Sequence, residues 1–416
     1  MSPWFDYPRY QWQQRHAVVI GAGIAGCQIS WHLAQQGWTI SLIERETDIA
    51  RQASGNLAGV ISPKMTAKPS TGEQFYHQAF DYSTQQLTDL LAAGADVDWH
   101  SCGMLQLNHN EREQQRWEAL RDRNLPADFL QCTDSEQTSQ LAGIHCDYGA
   151  TYFPRAGFIN PASFCRALIQ RPEITLISQV EAMSIAHDDK QWRVHDADGG
   201  VVAQAEVLIL ASGKDINQFT DSIVFPQLGV LGQSSHATPT QGSSALKCVI
   251  GHEGYLTPAY QSQHVFGATF DREFEEITVS DTSDQRNWQQ LQEYLPEWCA
   301  EVAEINSGHV AVRTTTPDRY PYAGAVPDTA FYAEHYAALK HGRTAETYPQ
   351  ASYQSGLFVL GGFGSRGLTT SGLCAKLLSD CINNQVTDKD QALLNTLHPA
   401  RFLIRQLRRG KLPAVS

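Results

Sequence analysis

The feature that most constrains the fold is a glycine-rich turn between an apolar strand and a helix near the N-terminus. Residues 17–20 (AVVI) predict a short buried strand, and residues 21–26 (GAGIAG) follow it. Residues 39–44 (TISLIE) predict a second strand that ends on Glu44. A strand, a G-x-G-x-x-G turn, a helix and a second strand with a terminal acid are typical of a dinucleotide-binding βαβ unit. The sequence therefore predicts a Rossmann-like sheet.

Each glycine of this turn has a physical reason to be there. Gly21 permits the tight turn, Gly23 lets the backbone approach a pyrophosphate, and Gly26 lets the helix lie close to the strand. The helix N-terminus then faces the phosphates with its unpaired N–H groups and its positive dipole end. Glu44 can accept hydrogen bonds from an adenosine ribose.

Later segments predict the rest of the architecture. Residues 192–213 predict a hairpin followed by a buried strand (VLILA) that returns to the parallel sheet beside the first strand. Residues 228–279 alternate turns with β-rich runs, including EITV, and predict a separate antiparallel sheet. Residues 287–305 predict an amphipathic helix broken by Pro296. Residues 356–382 predict a strand, a glycine-rich turn and a helix, where the turn is either a second phosphate loop or backbone lying flat against a planar ligand.

Composition excludes several classes of protein. The chain has 44 acidic and 31 basic side chains and a formal net charge of −13, which argues against a broad basic face that coats nucleic acid. Its nine cysteines contain no C-x-x-C pair, and its fifteen histidines show no metal-ligand spacing. No apolar run approaches the ~20 residues that span a bilayer, and the N-terminus lacks a secretory signal. We therefore expect a cytoplasmic protein with no metal and no membrane contact.

The C-terminus differs in charge from the rest of the chain, because its last sixteen residues contain five cations and no acid. Pro399 and Pro413 bracket a segment that predicts about three helical turns. Leu403, Ile404 and Leu407 share one face that can dock on the body, and the cations line another, which predicts a grip on RNA phosphates. The alternative is a solvated terminal helix. The cations are Arg401, Arg405, Arg408, Arg409 and Lys411.

Together these motifs resemble the D-amino-acid-oxidase-type FAD-dependent oxidoreductases, the family of glycine and sarcosine oxidases. The resemblance covers nearly the whole chain after residue 16. It is carried by VVIGAGIAG with Glu44, RQASGNLAGVISP (51–63), GFINPASFCRAL (157–168), VLILASG (207–213), GYLTP (254–258), VFGATF (265–270), AVRTTTPDRYPYAG (311–324) and GGFGSRGL (361–368).

The resemblance implies an α/β fold of the D-amino-acid-oxidase/glutathione-reductase type. A Rossmann-like FAD-binding domain would be interleaved with an α+β substrate domain built on an antiparallel sheet. The expected segments are a linker-like stretch (1–16), a discontinuous FAD-binding domain (17–98, 150–218 and 306–395), the substrate domain (99–149 and 219–305) and a basic C-terminal helix or tail (396–416).

The resemblance also implies that the cofactor is FAD. The FAD is expected to be non-covalent, because RTTTPD (313–318) offers no cysteine where sarcosine oxidases place a covalent flavin link. In the family, the stretch at 361–368 passes along the isoalloxazine. The residues expected to bind FAD are Gly21, Gly23, Ile24, Ala25, Gly26, Glu44, Arg45, Ser54, Gly55, Asn56, Val180, Ala211, Ser212, Gly213, Gly362, Gly364, Ser365, Arg366, Gly367, Leu368 and Thr369.

Three details resemble a narrower group, the oxidoreductase domain of the bifunctional tRNA 5-methylaminomethyl-2-thiouridine biosynthesis proteins. They are ASGNLAG (53–59), LGGFGSRGL (360–368) and LHPARFLIRQLRRGK (397–411). SPWFDYP (2–8) is similar to the linker that follows the methyltransferase domain of that group, and sixteen residues leave no room for such a domain. We therefore expect the oxidase half alone, with tRNA as its partner and a separate methyltransferase to complete the modification.

The reaction implied is removal of the carboxymethyl group from 5-carboxymethylaminomethyl-(2-thio)uridine at the tRNA wobble position. The methylene group is oxidised by hydride transfer to FAD, and hydrolysis then releases glyoxylate and leaves an aminomethyl uridine. One alternative is an oxidase of a free small amino acid or secondary amine, similar to glycine or sarcosine. Another is a non-catalytic or NAD-using Rossmann module, which would have no use for the motifs at 51–63 and 361–368.

Three residues are candidates for the catalytic site by resemblance. Arg313 is expected to clamp the substrate carboxylate, because a guanidinium binds a carboxylate in bidentate fashion; the alternative is an ion pair with Asp318 that holds a turn. Arg366 is expected beside the flavin, and its alternative is a tether to a backbone carbonyl in a tight glycine loop. Tyr255 matches a substrate-pocket tyrosine of the family, or is an ordinary core aromatic.

Overall fold

The computed structural model describes residues 2–188, 190–220, 223–342 and 348–411. Its helices are α1 (Ile24–Gln35), α2 (Thr71–Ala92), α3 (Glu111–Arg121), α4 (Ser135–Ala142), α5 (Pro161–Ile169), α6 (Asp281–Tyr294), α7 (Pro296–Ala300), α8 (Thr329–His335), α9 (Gly367–Ile382), α10 (Asp388–Leu397) and α11 (Arg401–Arg408).

The strands of the described residues form four sheets. They are β1 (His16–Ile20), β2 (Thr39–Ile43), β3 (Gly59–Ile61), β4 (Trp99–His100), β5 (Met104–Leu107), β6 (Gln131–Thr133), β7 (Ala150–Phe153), β8 (Gly157–Ile159), β9 (Ile174–Ile177), β10 (Ser184–His187), β11 (Trp192–His195), β12 (Val201–Ala205), β13 (Val207–Leu210), β14 (Leu228–Ala237), β15 (Val249–Gly251), β16 (Tyr255–Leu256), β17 (His264–Gly267), β18 (Ile305–Thr315), β19 (Tyr322–Pro327) and β20 (Tyr353–Gly361).

A six-stranded sheet with the order β19-β20-β13-β1-β2-β9 forms the centre of the first half of the molecule. All its neighbouring strands are parallel except β19 and β20. The strands β1 and β13 are continuous apolar runs because helices and loops cover both faces of a parallel sheet. The predicted Rossmann-like unit, and the return of VLILA beside the first strand, are confirmed.

An eight-stranded sheet with the order β18-β14-β17-β16-β15-β5-β7-β6 forms the second half. It is antiparallel except where β15 runs parallel to β5. The predicted antiparallel sheet is confirmed, but the expectation of a strand at EITV (276–279) is wrong, because this run forms an irregular segment before α6. The helix predicted at 287–305 begins earlier, at Asp281, and is interrupted before Pro296, so that it forms the two helices α6 and α7.

The division of the chain into domains stays a prediction. Strand β18 pairs with β14 in the eight-stranded sheet, although residues 306–315 were expected in the FAD-binding part. Two three-stranded sheets, β10-β11-β12 and β3-β8-β4, complete the architecture. Within the described ranges, no helix combines the length and the apolarity that a membrane crossing requires.

The C-terminal helix α11 docks on the body through its apolar face, as predicted. Leu403, Ile404 and Leu407 are buried and pack with Trp4 of the N-terminal segment and with Tyr336. The helix is shorter than the predicted three turns, since its eight residues make about two turns. Pro413 lies outside the described residues.

Candidate active site

A cavity of about 640 Å³ opens where the carboxyl ends of β1, β2 and β13 meet. This edge of an open parallel sheet is where such folds bind ligands. One end of the cavity is lined by the turns that follow these strands, and the other by strands of the eight-stranded sheet. The 360–369 segment also lines it.

The glycine turn after β1 fits a dinucleotide because it has no room for side chains. Gly21 has φ of +101°, and a Cβ atom there would lie 2.7 Å from the carbonyl oxygen of Ala211. A Cβ atom at Gly26 would collide with the carbonyl oxygen of Gly21. The backbone of α1 therefore lies directly against the turn, with its N-terminus at the cavity.

Glu44 is held in place by the backbone around it. Its carboxylate accepts hydrogen bonds from the N–H groups of Ala22 at 2.8 Å and Glu46 at 3.0 Å. The neighbouring Arg45 pairs with Asp215 at 3.0 Å. The Glu44 carboxylate is thus oriented at the cavity wall and keeps lone pairs for a ligand hydroxyl.

The 51–63 segment joins the two halves of the cavity. The Ser54 hydroxyl accepts a hydrogen bond from the Ile24 N–H at 3.0 Å, so it touches the start of α1. The Asn56 amide donates to the Tyr255 hydroxyl at 2.7 Å and accepts from the Ser234 hydroxyl at 3.1 Å. Burial raises the pKa of Tyr255, so its hydroxyl stays neutral at ordinary pH. Tyr255 is therefore a polar wall residue rather than an ordinary core aromatic.

Arg313 projects from β18 into the same cavity. Among the described residues its guanidinium makes a single, long hydrogen bond, in which it donates to the Thr269 carbonyl oxygen at 3.4 Å. Burial lowers the pKa of its guanidinium, and the nearby Tyr255 opposes that shift. The alternative ion pair with Asp318 is wrong, because the carboxylate of Asp318 binds Arg401 and Arg405 instead.

Arg366 follows the glycine-rich turn after β20 and lines the cavity at another point. It donates to the Ser62 carbonyl oxygen at 3.4 Å, and its guanidinium lies 5.8 Å from the ring centre of Tyr76. The carbonyl tether considered from sequence thus exists, but it reaches the 51–63 segment rather than the glycine loop itself. Burial lowers the pKa of Arg366.

The cavity brings together nearly all of the predicted cofactor and catalytic residues. Gly26 and Gly55 are absent from its lining; a Cβ atom at Gly55 would lie 2.7 Å from the ring of His309. The predicted residues in the lining are Gly21, Gly23, Ile24, Ala25, Glu44, Arg45, Ser54, Asn56, Val180, Ala211, Ser212, Gly213, Tyr255, Arg313, Gly362, Gly364, Ser365, Arg366, Gly367, Leu368 and Thr369.

Sequence reasoning missed several lining residues, and three of them bear on the chemistry of the site. Phe270 is 58% exposed, an unusual state for a phenylalanine, and it follows the carbonyl that Arg313 contacts. His309 is held by the Gln52 carbonyl oxygen at 2.7 Å. Burial lowers the pKa of His252 to about 3, so this histidine is neutral. Phe270 ends the VFGATF motif (265–270) without being predicted as a site residue, and His252 and His309 lie just before quoted motifs; the pairing of distant strands brings these residues to the cavity.

The predicted RNA-binding cations do not all lie on one face. The prediction for Arg401 is wrong, because its side chain is 3% exposed and is bound to Asp318. Arg405 is half-exposed and also pairs with Asp318, at 2.8 Å. Arg408 lies over the ring of Trp4 and is exposed, as are Arg409 and Lys411.

Comparison with known proteins now adds to this geometry. A family model described as "FAD dependent oxidoreductase" matches residues 16–381. The chain belongs to this family. The FAD-dependent oxidoreductase fold, the enzyme class and the cofactor expected from the sequence are thereby confirmed.

Curated relatives point to the narrower group. The chain is 34% identical over 417 aligned residues to the tRNA 5-methylaminomethyl-2-thiouridine biosynthesis bifunctional protein of Pseudomonas fluorescens (strain Pf0-1). The match covers 99% of this chain and 62% of that protein. The protein of the same name from Chromobacterium violaceum is 32% identical, with 99% and 63% covered. The chain therefore spans less than two thirds of the length of these relatives.

Solved structures support the fold. The structure of glycine oxidase from Geobacillus kaustophilus superimposes with a TM-score of 0.74 at 19% identity. The superposition covers 92% of this chain and 98% of that one. At this identity the likeness speaks for the fold alone.

Proposed function

We propose that this chain oxidises the carboxymethylaminomethyl group of a tRNA wobble uridine and releases glyoxylate, leaving an aminomethyl uridine. The main support is 34% identity over 99% of the chain to a tRNA 5-methylaminomethyl-2-thiouridine biosynthesis protein. Arg313 adds chemical support, because it lies in the cavity with no carboxylate partner among the described residues and the substrate group ends in a carboxylate. Such a substrate would place the enzyme in the cytoplasm, and a separate methyltransferase would complete the modification.

In this proposal, one set of cavity residues binds the substrate and another set binds the cofactor. Arg313 would bind the substrate carboxylate with two parallel N–H groups and so fix the methylene carbon about 3–3.5 Å from its acceptor. Tyr255, held by Asn56, would limit the positions open to the substrate on that side. When bound, FAD would supply the hydride acceptor. Gly21, Gly23 and Glu44 would hold its pyrophosphate and ribose.

Non-covalent FAD is part of the proposal. None of the nine cysteines lines the cavity, so a cysteinyl link to the flavin has no candidate side chain there. Acid precipitation of the purified holoprotein should release all of the yellow flavin into the supernatant. Flavin that stays with the precipitate would contradict this part of the proposal alone.

The substrate is tested by mass spectrometry of tRNA nucleosides. The holoprotein is incubated with tRNA that carries carboxymethylaminomethyl uridine, and the nucleosides are then analysed for loss of that group and gain of aminomethyl uridine. Glyoxylate is measured in the same reaction. If the enzyme oxidises free glycine or sarcosine and leaves this tRNA unchanged, the chain is an amino-acid oxidase instead.

A further inference from the structure

Two cations lie over one tyrosine ring at the edge of the cavity, and the backbone of a third cationic residue accepts a hydrogen bond from the same tyrosine. The Lys64 amine lies 4.7 Å from the ring centre of Tyr76, and the Arg366 guanidinium lies 5.8 Å from the same centre. The Tyr76 hydroxyl donates to the carbonyl oxygen of Arg319 at 2.8 Å. We call Lys64, Arg319 and Arg366 the cavity-edge cations. Arg366 lines the cavity, whereas Lys64 and Arg319 stand outside its lining.

The acids near these cations already have other partners. Glu73, three residues before Tyr76, is buried and binds Arg123 at 2.5 Å. Asp318, next to Arg319, is bound by two arginines of α11. Across residues 2–188, 190–220, 223–342 and 348–411, no ion pair is found for any cavity-edge cation. Arg366 and Arg319 are close enough to lower the pKa of Lys64, so the described residues bring three cations together without a paired acid, in a chain of net charge −13.

The backbone at Arg319 has a conformation that arginine rarely adopts. Its φ is +66°, in the left-handed region that glycine or asparagine adopts more easily than arginine. The side chain is exposed and so gains little from packing. A residue held in such a conformation suggests that its side chain is needed at this place.

The electrostatic surroundings of Lys64 favour an anionic ligand. Burial lowers its pKa to about 8, and repulsion from Arg366 and Arg319 adds to the shift. A bound anion would reverse this repulsion and favour the charged amine. The geometry and the electrostatics thus agree that the cluster is short of negative charge.

We propose that Lys64 and Arg319 bind a backbone phosphate next to the target nucleotide, with Arg366 adding its charge from the cavity wall. This inference rests on the proposed function. The substrate carboxylate is a poorer occupant for Lys64 and Arg319, because these two lie outside the cavity in which the carboxylate would meet Arg313. An RNA phosphate remains outside when the modified base enters. The negative charge elsewhere on the protein would repel RNA and so favour this point of contact.

The test uses an anticodon stem-loop RNA with carboxymethylaminomethyl uridine at the wobble position. A second RNA carries neutral methylphosphonates in place of the two phosphates that flank this nucleotide. The holoproteins are the parent, Lys64→Gln, Arg319→Gly and the control Lys190→Gln, which removes the same charge from the exposed end of the β10–β11 hairpin. For each pair, kcat/KM is measured by glyoxylate release, and flavin content and Tm check folding.

Lys64→Gln should lower kcat/KM on the native RNA about tenfold through KM, since one charge-assisted contact is lost. Arg319→Gly should do the same without lowering Tm, because glycine relieves the left-handed backbone. The methylphosphonates should lower kcat/KM for the parent and Lys190→Gln about tenfold, and should add little to the losses of Lys64→Gln and Arg319→Gly.

Two outcomes overturn the inference alone. In one, the Lys64 and Arg319 variants oxidise the native RNA as well as the parent does. In the other, the methylphosphonates lower kcat/KM of these variants by the same factor as they lower kcat/KM of the parent, which would mean that the phosphates and the cations act independently. Failure of the proposed function looks different, because the parent itself would then leave the native stem-loop unchanged; that result overturns both.

Discussion

Two arginines, Arg401 of α11 and Arg313 of β18, differ in the partners that the fold provides for their guanidinium groups. Arg401 of α11 is fully buried, and all five of its guanidinium N–H bonds are used, on Asp318 and on three carbonyl oxygens. Arg313 of β18 lies in the cavity wall with one long hydrogen bond to the Thr269 carbonyl. Arg401 is therefore paired with a carboxylate of the same chain, whereas Arg313 has no carboxylate partner among the described residues.

The difference has an energetic meaning. A charged group removed from water is destabilising unless paired and hydrogen-bonded, and burial lowers the pKa of Arg313 for that reason. Arg401 overcomes this penalty within the folded chain. A buried, unpaired arginine such as Arg313 is expected to reduce stability until an anion binds it.

The largest expected effect is on stability, at Arg401. Arg401→Met should lower the free energy of unfolding by about 3–5 kcal/mol, because it leaves the partly buried carboxylate of Asp318 without its main partner. The measurement is urea unfolding followed by tryptophan fluorescence. Arg405→Gln is the matched control, since it breaks a half-exposed ion pair with the same carboxylate and should cost less than about 1 kcal/mol. Equal losses for the two variants would contradict the structural role of Arg401.

The second effect is on catalysis, at Arg313. Arg313→Ala should lower kcat/KM on the modified tRNA by about a hundredfold, because losing a charge-assisted contact also misplaces the methylene group. FAD should stay bound, and Tm should be unchanged or higher, since an unpaired cation is removed. The control is Arg286→Ala, which removes an arginine paired with Asp271 outside the cavity lining. A variant at position 313 with parental kcat/KM would remove the carboxylate-clamp assignment.

The contrast also explains what sequence can and cannot predict here. The βαβ unit, its glycine turn and Glu44 follow from local rules, because each needs only neighbouring residues to be recognised. Helical spacing correctly predicted that Leu403, Ile404 and Leu407 dock. The same spacing wrongly placed Arg401 on the exposed face, because no neighbouring residue shows that Asp318, 83 residues earlier in the chain, binds it in the fold. Phe270 and His309 were not predicted as site residues for the same reason, since pairing between strands that are distant in sequence brings them to the cavity.

The third effect concerns the cations of the C-terminal helix that remain on the surface. Replacing Arg405, Arg408 and Arg409 by Gln should weaken tRNA binding and reduce its salt dependence by about one unit of log–log slope per lost phosphate contact. Flavin content and Tm should stay nearly unchanged, because these side chains are exposed or half-exposed.

The measurement for these cations is tRNA binding by fluorescence anisotropy over a range of salt. Arg405 should contribute least of the three, because its ion pair with Asp318 already uses part of its charge. A triple variant that binds and oxidises tRNA as the parent does, at low and high salt, would make the tail a solvated helix with no role in binding.

The smallest effect is a change in acid sensitivity that depends on the Arg401–Asp318 pair. Burial by itself raises the pKa of Asp318, but the hydrogen bonds from Arg401 outweigh it and hold the pKa below the ordinary value. A carboxyl whose pKa is lower in the folded state than in the unfolded state stabilises the fold above the unfolded value of about 3.9, and this contribution is lost as pH falls through the folded value.

In Arg401→Met the same carboxyl is partly buried without that partner, so its pKa should rise and the contribution should disappear. The difference in unfolding free energy between the parent and Arg401→Met should therefore be largest near about pH 7 and should shrink as pH falls from about 5 through the unfolded value of about 3.9 and on below it. Urea unfolding at several pH values measures it, with Asp318→Asn as the control that has no carboxyl to titrate. A difference that stays constant over this range would mean that packing of the Arg401 side chain, and not its charge, holds the C-terminal helix in place.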